Sequence, residues 1–129
     1  MDPSYIIIEN KKIGQIKAKL LPEKNPKTCQ AIWTALPFDV SLSRWGEELY
    51  GDCPVKIDAE NYQTECEVGD VGYWIGGQGF CIFWGPTPAS RGDKPVAASP
   101  VNVFASIEGD AKAIFNQFSS FMGTIKKGD

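Results

Sequence analysis

Histidine is absent from the 129-residue chain. That absence removes the commonest general base, the usual hydrolytic triads and most zinc sites together. Long hydrophobic runs are missing as well. No stretch approaches the roughly 20 apolar residues that span a bilayer. The N-terminal run Tyr5-Ile6-Ile7-Ile8 is too short for a secretory-signal core, and no basic segment precedes it. Asn-x-Ser/Thr is lacking too, and these absences together predict a cytoplasmic protein with no membrane partner. An excess of positive charge is also missing. Thirteen basic against sixteen acidic residues leave a net charge of −3, which excludes the clustered cations a nucleic-acid partner needs. Finally, no Cys-x-x-Cys pair occurs. Cys29, Cys53, Cys66 and Cys81 are far apart and irregularly spaced, so the sequence predicts small buried hydrophobes rather than metal ligands. No metal and no cofactor are expected.

What is present is ordinary globular material. Apolar residues make up 43% and charged residues 22%, enough for one domain over residues 1–129 to bury a core without staples. Glycine (13) and proline (9) are spread through the chain and cut it into short pieces, a pattern of many strands joined by turns. Residues 5–9 are apolar and β-branched. Lys11-Lys12 marks a turn. Ile16, Ala18 and Leu20 then alternate with Gln15, Lys17 and Lys19, the period-two pattern of a half-buried strand. Asn25-Pro26 is a helix start, with Asn25 as cap and Pro26 in the first turn. Cys29, Ile32, Trp33 and Leu36 share one helical face, and Pro37 ends it.

Phe38, Val40 and Leu42 alternate with polar neighbours, and further short strands are expected at residues 48–50, 55–57, 71–75 and 80–84. The run Phe80-Cys81-Ile82-Phe83-Trp84 is apolar on both faces, so both should be covered. Val101, Val103, Ala105 and Ile107 form another alternating strand. Asp110 caps a second helix carrying Ala111, Ile114, Phe115 and Phe118, and residues 126–129 read as a frayed tail. About eight strands and two helices fit a mainly β fold, a small closed or nearly closed barrel with helices over its ends. A two-layer α+β sandwich is the alternative.

Gly76-Gly77-Gln78-Gly79 resembles a phosphate-cradling loop but leads into a strand instead of a helix, so a hairpin linker is expected. Glu47 and Glu48 point to opposite faces of a strand, which predicts a solvated edge with one of them pairing a basic neighbour. Arg44 falls on the same face as Phe38, Val40 and Leu42, where a guanidinium needs a partner or a route to water. The aromatic set Trp45, Tyr73, Trp74, Phe80, Phe83 and Trp84 reads either as barrel core or as the wall of a pocket for an apolar group such as proline.

These residues carry a resemblance. Gly14-Gln15-Ile16-Lys17-Ala18-Lys19-Leu20-Leu21-Pro22 followed by Asn25-Pro26-Lys27-Thr28 resembles the opening of cyclophilins. Trp45-Gly46-Glu47-Glu48-Leu49-Tyr50, Gly69-Asp70-Val71-Gly72-Tyr73-Trp74, Phe83-Trp84-Gly85-Pro86-Thr87-Pro88 and Ser99-Pro100-Val101-Asn102-Val103 are similar to the short prokaryotic cyclophilin-like proteins. The resemblance runs over roughly residues 13–107. It implies a closed antiparallel eight-stranded β-barrel flanked by two helices. It also implies a prolyl cis-trans isomerase site, in which an arginine donates to the twisted amide and an apolar pocket holds the proline ring. Arg44 matches that arginine, and Gln78-Gly79-Phe80 is the nearest match to the family's Gln-Phe-Phe. Several pocket residues have no counterpart here, the histidine among them.

The resulting expectation is a domain that binds a peptide or small-molecule ligand in an aromatic groove near Arg44, Tyr73, Trp74, Gln78 and Phe80, with little or no catalytic activity. Peptidyl-prolyl isomerisation with Arg44 as donor is the alternative, and a structural or assembly module is a third class. Nothing in the residues fixes an oligomeric state.

Overall fold

The computed structural model describes residues 4–128. β1 (Tyr5–Asn10) and β2 (Gly14–Leu20) form the N-terminal hairpin, paired from Tyr5↔Lys19 to Asn10↔Gly14. α1 (Pro26–Ala35) leads to β3 (Phe38–Arg44), β4 (Glu48–Asp52), the three-residue β5 (Gln63–Glu65), β6 (Asp70–Trp74), β7 (Gly79–Phe83) and the long β8 (Val96–Ile107). α2 (Ala111–Phe115) and β9 (Ser120–Lys127) complete the chain.

Every pairing is antiparallel, and eight strands close on themselves in the order β2-β1-β9-β3-β4-β7-β6-β8, with β8 returning to β2 through Ala18↔Ile107 and Leu20↔Ala105. Closure leaves no free barrel edge. β5 lies outside the ring and pairs with the first half of β8. Because β2 and β8 run in opposite directions, α1, which follows β2, and α2, which follows β8, sit at opposite ends of the barrel. Among the described residues, no helix is long and apolar enough to cross a membrane.

Strand alternation separates two apolar layers. Leu49, Val71, Tyr73, Phe80 and Ile82 point inward and join Cys29 and Ile32 of α1 in the barrel core. Phe80 meets Phe38 and Phe104 edge-on, with ring centroids 6.2 and 6.0 Å apart, the favoured geometry for aromatic pairs. The alternate residues Cys81 and Phe83 point outward and pack with Cys66, Ala97, Val101 and Val103. β7 is therefore buried on both faces, as its unbroken apolar run predicts. All four cysteines are buried and free.

Several expectations are corrected. Residues 55–57 form no strand, although Ile57 is buried and its N–H donates to the Tyr73 hydroxyl. The second helix ends at Phe115, not Phe118, while Asp110 does cap it by accepting from the Ala113 N–H at 3.0 Å. Lys126 and Lys127, read as a frayed tail, pair with Ile7 and Ile6 in β9; Asp129 lies outside the described residues. β9 escaped notice because Gly123 interrupts its inward row of Phe121 and Ile125. A side chain there would meet the Glu9 carbonyl at 2.5 Å.

Asn25 does not cap α1 with its side chain. It is fully buried, donating to the Val103 carbonyl and accepting from the Asn61 N–H. The Glu60 carboxylate takes over the capping, accepting from the N–H groups of Lys27 and Thr28 at 3.0 Å each. An anion there also suits the helix dipole.

Candidate functional site

A pocket of about 220 Å³ opens on the outer face of β4, β7, β6 and β8. Its floor is made by Glu48 and Cys81, one rim by Ala97, Ala98, Ser99 and Val101, and its walls by Trp45, Tyr50 and Trp74. The hollow follows from residue size. Small side chains on β7 and β8 are ringed by three of the largest, and β4 sets Glu48 and Tyr50 on the outer face because Leu49 between them faces the core.

The backbone N–H of Trp45 donates to the Glu48 carbonyl at 2.9 Å across the turn between β3 and β4, which anchors that wall at its base. The Trp74 indole donates to Ser99 Oγ at 2.6 Å and stands at 88° to the Tyr50 ring, centroids 6.1 Å apart. It lies over Gly77 so closely that a Cβ there would come within 2.3 Å of its six-membered ring. The glycines of the hairpin linker thus let the indole lie flat across the turn.

Glu48 is only 5% exposed. Among the described residues no ion pair involves it. Burial pushes its carboxyl up to about 7, against the opposing pull of a hydrogen bond from the Cys81 thiol. Burial and the adjacent Glu48 carboxylate push the Cys81 thiol well above its ordinary value, and burial drives Cys66, close by, up to about 12. Both thiols are protonated at neutral pH and are not nucleophiles there. The solvated edge expected of Glu47-Glu48 is corrected in part. Glu47 pairs with Lys112 at 3.4 Å, but Glu48 is enclosed.

The structure separates the sequence candidates. Trp74 lines the pocket. Its neighbour Tyr73 and the cross-strand Phe80 are fully buried on the inner face. Gln78 is exposed at the β6–β7 turn, where its amide donates to the Cys53 carbonyl at 3.0 Å. Arg44 lies at the α2 end, outside the pocket lining. It donates from Nε to the Gly46 carbonyl (2.7 Å), from Nη1 to the carbonyls of Asn116 (2.8 Å) and Phe118 (3.2 Å), and from Nη2 to Asn116 Oδ1 (2.9 Å). Its guanidinium also stacks over Trp84 at 5.3 Å. Arg44 and Phe80 therefore share no solvent-open concavity.

Glu48, Tyr50 and the 97–99 rim are the residues that sequence reasoning missed. Alternation around Leu49 signals that Glu48 and Tyr50 share a face, but only the fold shows β8 closing over them. Among the described residues, no group of three or more Cys, Asp or Glu is placed to hold a metal ion.

Comparison with known proteins places the chain in context. A family model described as cyclophilin-like matches residues 5–122. A hypothetical protein of Archaeoglobus fulgidus, solved in solution, is 31% identical, with 98% of this chain and 95% of that chain covered and a TM-score of 0.79. No curated protein matches.

Proposed function

The chain belongs to the cyclophilin-like family, and from that premise we propose that it is a binding module whose outer-face pocket takes up one side-chain-sized group of a peptide or small molecule, without appreciable catalysis. The observation that carries this reading is the pocket itself. It is concave and largely apolar, its aromatic walls are held by hydrogen bonds and close packing, and a single polar group sits on its floor. That is the usual make-up of a ligand site. Its volume of about 220 Å³ falls below the roughly 300–1,000 Å³ of drug-sized pockets, which suits one side chain or one ring.

The test uses the four tryptophans as reporters. N-acetyl amides of proline, leucine, phenylalanine and lysine are titrated against 15N-labelled protein. At least one should shift the indole resonances of Trp45 and Trp74 while leaving those of Trp33 and Trp84 in place. No shift with any probe, or shifts centred on Trp33 or Trp84, would reject the reading.

Isomerisation with Arg44 as donor is the competing reading. It requires the guanidinium to leave Gly46, Asn116 and Phe118, or to act through the donor capacity those bonds leave over. Exchange spectroscopy on an X-Pro peptide decides it: turnover that Arg44→Ala abolishes would establish the enzyme, and no turnover supports the binding module.

A further inference from the structure

We infer that the group this pocket accepts is an organic cation, an alkylated ammonium held by the faces of Trp45, Tyr50 and Trp74 and paired with the carboxylate of Glu48. The inference rests on the pocket being the ligand site and adds the chemistry of its occupant.

Three observations converge on it. First, the Tyr50 and Trp74 rings meet at 88° and, with Trp45, give the pocket three aromatic walls. Aromatic faces carry the negative end of the ring quadrupole, and such cages are the recognised way to hold quaternary ammonium groups. Second, Glu48 sits on the floor of the same pocket, 5% exposed, with no cationic partner among the described residues. A buried carboxylate without a countercharge is unfavourable, and a bound cation relieves it. Third, the pocket lining contains no basic side chain, and three on neighbouring segments are engaged elsewhere. Arg44 is tied to Gly46, Asn116 and Phe118, Lys94 to Glu65 and Glu67, and Lys112 to Glu47. An anionic ligand would meet only Glu48, and a neutral one would leave the carboxylate uncompensated.

The geometry also sets a pH dependence. The titratable groups that interact with Glu48 are the thiols of Cys81 on β7 and of Cys66 ahead of β6, both pushed upward and neutral near pH 7, and beyond Cys66 lie the charged groups Asp70, Lys24 and Glu67. The rim on β8 adds only Ala97, Ala98, Ser99 and Val101. Glu48 therefore ionises between pH 6 and pH 8, and a cation binds best to the ionised form.

The experiment compares choline with its neutral isostere 3,3-dimethylbutan-1-ol by calorimetry and tryptophan fluorescence on the intact protein. At pH 8 choline should bind at least about tenfold more tightly than the alcohol. Its affinity should fall about tenfold at pH 6, because the ionised fraction of a group titrating near 7 drops by that factor. Glu48→Gln should erase the pH dependence and narrow the preference to what the aromatic rings alone supply. Titration with the methylamide of N-acetyl-trimethyllysine separates the sources. Tighter binding than choline indicates a peptide-borne cation, and equal or weaker binding a free one. An alcohol that binds as well as choline, or a choline affinity indifferent to pH and to Glu48→Gln, overturns the cation while leaving the pocket as a ligand site. Silence of Trp45 and Trp74 towards choline, the alcohol and the neutral N-acetyl amides alike overturns both.

Discussion

Glu48 should make the protein less stable as the pH rises, and Glu48→Gln should remove that dependence. At low pH the carboxyl is neutral in both the folded and the unfolded chain. As the pH passes the ordinary value of 4.5, the unfolded chain gives up its proton, while in the folded chain burial holds the carboxyl neutral up to about 7. Between those points the unfolded state is favoured by about 1.4 kcal/mol per pH unit, or about 3 kcal/mol across the interval. Above pH 7 both states are ionised and the difference stays constant. The glutamine variant keeps the shape and carries no charge in either state.

Urea unfolding of both proteins at pH 4, 5, 6, 7 and 8 reads this directly. The burial of Asp70, which raises its carboxyl, and the hydrogen bonds from Gln15 and Lys126 that lower that of Glu9 act alike in both proteins and cancel in the difference. The variant should be close to wild type at pH 4 and more stable by about 3 kcal/mol at pH 8, with the gap opening between pH 4.5 and 7. A gap that stays within about 0.5 kcal/mol at every pH would show that Glu48 is well solvated or already paired, and would remove the reason for giving it a ligand. A carboxyl retained at such a disadvantage, in a concave site, is the kind of group function explains better than stability does.

Gly77→Ala should push the Trp74 indole off its seat and break its bond to Ser99; ligand titration should show weakened binding while the melting temperature moves by only a few degrees. Phe80→Ala should cost about 3–5 kcal/mol by urea unfolding, the usual range for emptying a buried aromatic site, because Phe80 is fully enclosed against Phe38 and Phe104. Arg44→Ala should cost about 1–2 kcal/mol after allowance for solvent screening, since its hydrogen bonds tie the end of α2 to β3, and should leave binding at Trp45 and Trp74 intact. Glu60→Ala should cost about 1 kcal/mol as a lost helix cap and raise amide exchange first at Lys27 and Thr28.

The barrel was legible because its strands alternate plainly. Ile16, Ala18 and Leu20 on β2 announce their face, and the doubly apolar β7 announces its central place. The row expected on β8 is split: Val101 and Val103 pack on the outer face while Ala105 and Ile107 join the core, because a register shift opposite Val71 and Gly72 turns the strand over. β9 was hidden by Gly123, whose inward position carries no side chain. The second helix was overextended because Phe118 falls at helical spacing from Phe115 although it lies past the Asn116 cap. For the candidate site, the aromatic set includes two residues that line the pocket, Trp45 and Trp74, but the sequence did not show how they assemble. Tyr73 and Trp74 are adjacent on β6, so they face opposite sides of the barrel wall, and only Trp74 reaches the pocket. Arg44 looked like a donor awaiting a ligand because its acceptors, Asn116 and Phe118, are more than seventy residues away in sequence. Glu48 looked like a solvated surface acid because its cover comes from Ala97 to Val101 of β8, far along the chain.

A crystal structure of the complex with whichever probe binds most tightly tests the central claim most directly. Electron density for the probe between the rings of Trp45, Tyr50 and Trp74, above Glu48, is the predicted result. Density beside Arg44 and Asn116, with the outer-face pocket left empty, would contradict it.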